Sequence, residues 1–149
     1  MIRLRKPRTD DRWILALVKK ELFPYALRTH PHIRWDDQEV RKRLQMGTTF
    51  VACGRQRSEM AGFITVMPNG KELFLDMIAV EPNQQGRGWG SLLIRKAEMY
   101  AKDKGCDTIR LFVDEENANA RRFYDKHGFA VIQYYPHMRC FELKKSIAR

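Results

Sequence analysis

The spacing of hydrophobic residues predicts two amphipathic helices in the first third of the chain. The first is predicted to be capped by Thr9 and to stop at Pro24, because proline cannot continue a helix. The second is predicted to begin at Asp36 or Asp37 and to end at Gly47. The segment between them is rich in aromatic residues, His and Pro, and is predicted to be a loop or a broken helix. The residues expected to face inward are Ile14, Leu17, Val18, Leu22, Val40 and Leu44.

Alternating and β-branched stretches predict a sheet in the rest of the chain. Three of them, joined by short turns, favour an antiparallel meander. A long helix from Gly88 to Lys104 separates the third from the next strand, so those two should be parallel neighbours with a right-handed crossover. A short helix capped by Asn117 and ended by Gly128 precedes a final hairpin. The predicted strands are 2–6, 48–53, 60–66, 72–80 and 108–113, with turns at 54–59 and 68–70 and hairpin segments within 129–135 and 138–144.

These elements predict a mixed α/β, α+β-like fold. A mixed, mostly antiparallel sheet of six to seven strands should have about four helices on its faces. At 149 residues and 44% hydrophobic content, the chain can bury one core and is too short for two ordinary domains. We therefore expect a single domain over residues 1–149.

Composition also limits location and chemistry. The apolar run at 14–18 is followed by Lys19 and Lys20, so neither a signal-peptide core nor a membrane span is expected, and cytoplasm is the expected location. Three widely spaced cysteines without a C-x-x-C pair argue against a disulfide framework and against a structural metal.

The chain is strongly basic. Lys and Arg number 28 against 18 Asp and Glu, a formal charge of +10, which favours an anionic partner such as a phosphorylated cofactor, an acidic substrate or a nucleic acid. The basic residues are scattered, as on an ordinary solvated surface. A nucleic-acid-binding module is one alternative function, but it leaves the two motifs described next unexplained.

A glycine-rich loop lies between the strand predicted at 72–80 and the long helix. Gly86, Gly88 and Gly90 let an anion approach the backbone, where the first amides of a helix have no intrahelical partner. Arg87 can add a charged contact. Ser91 stands where a dinucleotide fingerprint has its third Gly, and the Gly-Lys pair of a Walker loop is missing. The loop therefore predicts a phosphate site of another class.

Two motifs resemble the GNAT superfamily of acyl-CoA-dependent N-acetyltransferases. The family's loop signature is Gln or Arg, any two residues, Gly, any residue, then Gly or Ala, and QGRGWG meets it. NANARRFYDKHGF resembles the family's later motif. Among the loop residues, Trp89 is bulkier than the usual aliphatic. The matching residues are Gln85, Gly88 and Gly90 in the first motif, and Asn117, Ala120, Tyr124, Gly128 and Phe129 in the second.

The resemblance implies acetyl-CoA as cofactor and a primary amine as acceptor. The implied reaction is direct attack of the amine through a tetrahedral intermediate. The pyrophosphate should lie on the glycine loop, and the pantetheine arm should run along the preceding strand and wedge open two parallel strands. The implied cofactor-binding residues are Ile78, Ala79, Val80, Gln85, Gly86, Arg87, Gly88, Trp89, Gly90, Ser91, Asn117, Ala120 and Tyr124.

The resemblance also suggests catalytic groups. Tyr124 would lie near the cofactor sulfur and protonate the leaving thiolate, since a phenol with a pKa of about 10 keeps its proton at neutral pH. A backbone amide near Met77 could bind the oxyanion. Glu72 and Asp76 are alternative bases, because they stand about 13 Å apart along a regular strand, and ordered water is a third candidate.

The acceptor site is predicted to include the segment between the first two helices and the final hairpin. Its aromatic and basic residues favour an acceptor that carries a carboxylate or phosphate, although core packing and a solvated surface explain them equally well. A catalytically silent acyl-CoA sensor is the other alternative function, and the hairpin offers an edge for a homodimer. The candidate acceptor residues are Phe23, Tyr25, Arg28, His30, Trp35 and Tyr135.

Overall fold

The computed structural model describes residues 1–56 and 59–147, in which seven strands form one sheet. The sheet order is β1-β2-β3-β4-β5-β7-β6, and every neighbouring pair is antiparallel except β4 and β5. The predicted mixed, mostly antiparallel sheet is therefore confirmed. In chain order the elements are β1 (Ile2–Leu4), α1 (Pro7–Glu21), α2 (Phe23–Thr29), α3 (Asp37–Met46), β2 (Thr48–Cys53), β3 (Met60–Asn69), β4 (Glu72–Val80), α4 (Trp89–Asp103), β5 (Thr108–Asp114), α5 (Ala118–Lys126), β6 (Ala130–Tyr135) and β7 (Cys140–Ser146).

The parallel strands β4 and β5 part soon after they begin. Their pairing runs from Glu72 opposite Thr108 to Phe74 opposite Arg110, although β4 continues for six further residues and β5 for four. Beyond Phe74, the edge of β4 that faces β5 has no strand partner in the described part of the chain. The gap lies at the carboxyl ends of the two strands, where open sheets commonly bind ligands.

A β-bulge interrupts β4 inside this gap. Thr65 pairs with Met77 and Val66 pairs with Leu75, so Asp76 is an extra residue on β4. A bulge bends its strand and redirects the side chain at that point. It gives Asp76 a position that regular alternation along β4 would not provide.

Helices cover both faces of the sheet. On one face α4 packs on a core that includes Leu73, Leu93 and Ile109, all fully buried. On the other face α1 and α3 supply Ile14 and Leu44 to a second core. Burying a side chain of this size contributes about 1.5–3 kcal/mol, so the two cores fix the helices against the sheet and hold the gap between β4 and β5 in place.

The amino-terminal helices differ from the sequence prediction at their ends. Thr9 does not cap α1, because Pro7 occupies its first turn and the carboxylate of Asp10 accepts the amide hydrogen of Lys6 at 2.7 Å instead. Pro24 does not end helical structure but lies in the first turn of α2, where its missing N–H group costs no hydrogen bond. Of the two predictions for this segment, the broken helix is therefore the correct one.

Other boundaries are close to prediction. Helix α3 begins at Asp37, one of its two predicted starts, with Asp36 as its cap, and Asn117 caps α5 as predicted. Strand β3 extends through Asn69 into the turn predicted at 68–70. The turn predicted at 54–59 includes residues 57 and 58, which lie outside the described residues. Across the described part of the chain, no helix has both the length and the hydrophobicity that crossing a bilayer requires.

Candidate active site

A cavity of about 1080 Å³ opens where β4 and β5 part. The carboxyl-terminal halves of both strands form its floor, and the glycine loop with the start of α4 forms one end. The segment from α2 to α3 forms the opposite wall, and α5 closes one side. The structure therefore brings both sequence motifs and the predicted acceptor segment to one space.

The glycine loop presents free amide groups to this cavity. Gly86 and Gly88 have φ angles of 79° and 88°, a conformation that favours glycine, and Gly88 is the N-cap of α4. In the part of the chain that the structure describes, the amides of residues 86 to 91 donate no hydrogen bond. Together with the positive end of the α4 dipole, this row of donors suits a phosphate group.

Gly90 has a packing reason of its own. A Cβ at this position would lie 2.9 Å from Cε1 of Phe123, closer than real Cβ contacts allow. Phe123 of α5 thus covers the first turn of α4. Ser91 joins the same two helices through Oγ, 3.1 Å from Nε2 of His127. Burial lowers the pKa of His127, and the positive charge of Lys145 adds to this effect.

Other predicted cofactor residues differ in what they contact. Gln85 donates from Nε2 to the carbonyl of Val80 at 3.1 Å and to Glu21 at 3.0 Å, so it ties the loop to the end of β4. Asn117 uses its side-chain oxygen to cap α5, accepting from the amide of Ala120 at 3.1 Å. Arg87 is exposed, and its Nη1 lies 3.5 Å from Gln84. Of the thirteen predicted cofactor residues, Arg87 alone is outside the cavity lining.

Tyr124 lies in the cavity wall with only 6% of its surface exposed. Its ring packs edge-on against Phe123 and Phe129 at centroid distances of 5.5 and 5.4 Å. Its hydroxyl forms no hydrogen bond with any described residue, yet it is not sealed from the cavity. Burial raises the pKa of Tyr124, so the hydroxyl keeps its proton at neutral pH.

The two predicted bases have different surroundings. Asp76, at the bulge, lines the cavity and accepts two hydrogen bonds from Arg43, from Nε at 2.9 Å and Nη2 at 3.0 Å. Glu72 is at the opposite end of β4 and is not among the lining residues described. Its carboxylate lies 2.7 Å from Nζ of Lys144, whose hydrogen bond lowers the pKa of Glu72.

The predicted acceptor residues fall into two groups. Phe23, Tyr25 and Trp35 line the cavity, and Phe23 packs edge-on against Trp35 at 5.4 Å. The other three are not among the described lining residues. Arg28 is exposed and stacks over Tyr25, because α2 turns it outward. The predicted residues outside the lining are Arg28, His30 and Tyr135.

Besides Asp76, the cavity lining contains carboxylates that sequence reasoning missed, and Asp114 is one of them. Asp114 is the last residue of β5, is half-buried, and has Oδ1 3.4 Å from Oγ1 of Thr29 in α2. Burial raises its pKa, an effect that the Thr29 contact only partly offsets. The signal was a carboxylate at the carboxyl end of a strand predicted to part from its neighbour, a position where ligands commonly bind.

Comparison with known proteins agrees with this geometry. Residues 15–129 match the model of the acetyltransferase (GNAT) family. Thialysine N-epsilon-acetyltransferase of Bos taurus is 32% identical over 80 residues, which are 54% of this chain and 47% of that protein. Ribosomal protein bS18-alanine N-acetyltransferase of Haemophilus influenzae is 36% identical over 85 residues, 54% of this chain and 58% of that protein. The chain spans about half the length, or less, of the curated relatives it matches.

The fold is also shared with solved structures. The PaiA N-acetyltransferase from Thermoplasma acidophilum, solved in complex with coenzyme A, superposes with a TM-score of 0.75. The superposition covers 98% of this chain and 99% of that chain at 19% identity. At this level of identity, the likeness concerns the fold.

Proposed function

Because this chain belongs to the acetyltransferase (GNAT) family, whose model matches residues 15–129, we propose that it transfers an acetyl group from acetyl-CoA to a primary amine. The gap between β4 and β5 carries this proposal. Within one cavity it joins a row of amides to a buried phenol, and neither the amides nor the phenol donates a hydrogen bond to any residue that the structure describes. An anion-binding end and a proton donor in the same space suit acyl transfer from a phosphorylated carrier.

The residues present fit coenzyme A. The amides of residues 86 to 91 and the start of α4 would hold the pyrophosphate. The three glycines of the loop have no side chains that could obstruct it. The unpaired edge of β4 at Ile78, Ala79 and Val80 would pair with the amide groups of the pantetheine arm, in the manner of an added strand. Acetyl-CoA supplies the acetyl group as an activated thioester. Gln85, Trp89, Ser91, Asn117 and Ala120 would surround the cofactor from the loop and from α5.

We assign Tyr124 the role of acid. Its hydroxyl keeps its proton because burial raises its pKa, and it has no hydrogen bond to give up before it donates. The backbone amide near Met77 follows the bulge in β4 and would stabilise the oxyanion from a fixed position.

The base belongs on the cavity side of β4. Asp76 lines the cavity, whereas Glu72 is held by Lys144 away from it. Both oxygens of Asp76 are engaged by Arg43, so we propose that Asp76 orients a water molecule that accepts the proton of the attacking amine. In this proposal, two of the candidate bases act together: water accepts the proton and Asp76 orients the water.

The remaining expectations stay proposals. We propose that residues 1–149 act as one acetyltransferase domain in the cytoplasm. The exposed strand β6 at the edge of the sheet would be the surface for a homodimer. A silent acyl-CoA sensor is less favoured, because it gives the Tyr124 hydroxyl no role. A nucleic-acid module explains neither the free amides nor the gap.

The test is thiol release from acetyl-CoA across a panel of primary amines, with the Tyr124→Phe variant beside the wild type. We expect kcat to fall by about 100-fold in the variant, because a positioned acid commonly contributes at least this much. Acetyl-CoA should bind both proteins equally, measured by titration calorimetry.

The exposed Tyr134, whose hydroxyl donates to Glu115 at 2.9 Å outside the cavity, provides the matched control. Tyr134→Phe should keep the wild-type rate. If Tyr124→Phe were as active as the wild type, the acid would be another group. If acetyl-CoA bound but no amine reacted, the sensor would replace the enzyme as the better proposal.

A further inference from the structure

The cavity has a charge opposite to that of the chain. The protein carries ten more basic than acidic residues, yet the lining outside the glycine loop and α5 contains more carboxylates than cations. Five carboxylates line this part of the cavity against two guanidinium groups, and one of the latter, Arg43, is bound to Asp76. The carboxylates are Glu21, Asp36, Glu39, Asp76 and Asp114, and the cations are Arg34 and Arg43.

Asp114 differs from the other four carboxylates because it is half-buried and has no ion pair or strong hydrogen bond among the described residues. Asp76 is paired with Arg43, Asp36 and Glu39 are exposed, and Glu21 accepts a hydrogen bond from Gln85. Among the described residues, the one side-chain hydrogen bond to Asp114 comes from Thr29 Oγ1, which lies closer to the carbonyl of Ala26, at 3.1 Å. An electrostatic effect of His30 lowers the pKa of Asp114, but burial outweighs this effect, and His30 forms no ion pair with Asp114. The neighbouring Glu115 and Glu116 turn away to Arg139, each at 3.0 Å. The second oxygen of Asp114 accepts no hydrogen bond from the described residues and is not sealed from solvent.

The same cavity contains the group that would carry out the chemistry. Tyr124 is more than nine-tenths buried, lines the cavity and lacks a hydrogen-bond partner among the described residues. An attacking amine must be neutral, so it cannot compensate the charge of Asp114 while it reacts. A second ammonium group on the same acceptor can do so, and a half-buried carboxylate without a counter-charge favours such a partner.

We infer that the acceptor is an amine with a second positive charge, and that Asp114 is the residue that binds this charge. The inference rests on the proposed acetyl transfer and replaces the anionic acceptor expected from the sequence. That expectation depended on Arg28 and His30, and neither is among the described lining residues. A carboxylate or phosphate on the acceptor would instead enter a cavity in which carboxylates outnumber cations, and would be repelled.

The test compares three acceptors with the same number of carbon atoms and the same reacting amine. 1,4-Diaminobutane ends in a second ammonium, butylamine in a methyl group and 4-aminobutanoate in a carboxylate. We expect the wild type to show the highest kcat/KM with 1,4-diaminobutane and the lowest with 4-aminobutanoate. In Asp114→Asn, kcat/KM for the diamine should fall by about 10- to 100-fold, the range expected for one charge-assisted hydrogen bond, while that for butylamine changes little.

Glu116→Gln is the matched control, because it removes one carboxylate charge two residues away and outside the cavity lining. It should keep the wild-type order of the three acceptors. A wild type that prefers butylamine or 4-aminobutanoate would overturn the inference while leaving acetyl transfer intact. The inference would also be overturned if Asp114→Asn kept the wild-type ratio of kcat/KM for 1,4-diaminobutane to kcat/KM for butylamine.

Two readouts separate this inference from the proposed function. In the presence of coenzyme A, 1,4-diaminobutane should raise the melting temperature of the wild type but not of Asp114→Asn. If the diamine raises the melting temperature in this way but no acetyl transfer occurs, the proposed function is contradicted and the cation site is supported. If the diamine neither binds nor is acetylated, both proposals are overturned. The variant alone should melt at the same temperature as the wild type at pH 7, or higher, because burial raises the pKa of Asp114 and its charged form costs stability. A lower melting temperature would indicate a structural role instead.

Discussion

Glu72 begins β4 with its carboxylate 2.7 Å from Nζ of Lys144 and 3.6 Å from Nε of Arg110. The hydrogen bond from Lys144 lowers its pKa and so makes Glu72 a weaker base. We expect Glu72→Gln to keep kcat/KM within about twofold of the wild type and to keep the alkaline rise of the rate, because the residue does not line the cavity. A pH–rate profile checks this, and a flattened alkaline limb would return Glu72 to the mechanism.

Single residues were predictable where their role depends on neighbours in sequence. Gly88 and Tyr124 were singled out from short sequence motifs, and both line the cavity, while their roles stay predictions. Asp114 was missed because its environment comes from Thr29, 85 positions away. Arg28 was placed at the acceptor site, but the register of α2 turns it outward, and residue composition does not reveal that register.

The contact between α4 and α5 depends on Gly90. We expect Gly90→Ala to reduce the free energy of unfolding by about 1–3 kcal/mol, because its Cβ would lie 2.9 Å from Cε1 of Phe123 and the ring must move. Since the same turn of α4 offers the free amides, the affinity for acetyl-CoA should fall as well. Urea unfolding and calorimetry measure the two effects.

A double-mutant cycle with Phe123→Leu tests the cause. If the clash with the ring is responsible, the double mutant should be more stable than the two single changes predict by addition. Strict additivity would mean that Gly90→Ala acts through the backbone alone.

At the scale of elements, prediction succeeded where a helix end is determined by adjacent residues. Asp36 and Asn117 cap their helices through amides two and three residues on, within the span that a sequence pattern covers. It failed at α1, where two signals competed. Pro7 suits the first turn, and Asp10 turns back to the amide of Lys6, so Thr9 was left without the capping role.

For the molecule as a whole, two ion pairs fix the start of the chain on α1. Arg3 meets Asp10 at 2.7 Å and Arg5 meets Asp11 at 2.6 Å, and both carboxylates are buried. Burial alone would raise the pKa of Asp10, but hydrogen bonds from Arg3 and from the amide of Lys6 outweigh it and lower the pKa. The pairs tie β1, at one edge of the sheet, to the helix that covers it.

This arrangement makes stability depend on acidic pH. Because the folded pKa of Asp10 is below its unfolded value, its contribution is complete above about pH 4 and is lost as pH falls through the folded pKa. We expect Asp10→Asn to lower the free energy of unfolding by about 1.5–3 kcal/mol at pH 7, the worth of hydrogen bonds to a charged group. The deficit should shrink towards pH 2 in urea titrations, and a deficit independent of pH would show that charge is not its source.

The gap between β4 and β5 was expected from the family resemblance, but not from the residues of the strands themselves. The β-type pattern and the long helix between them predicted parallel neighbours, which three residue pairs confirm. Periodicity does not show where pairing stops. The end of the ladder is a property of the assembled sheet, which the sequence of one strand does not contain.

The short ladder divides the sheet into two plates, β1 to β4 on one side and β5, β7 and β6 on the other, that share three residue pairs. An extended ligand in the gap would bridge the two plates, because it would form hydrogen bonds with the edge of β4 and pack against β5. The contacts that bind the ligand would then also hold the two plates together, since any group that binds only the folded state stabilises that state. The gap that forms the cavity is thus also the place where pairing between the two parallel strands is incomplete.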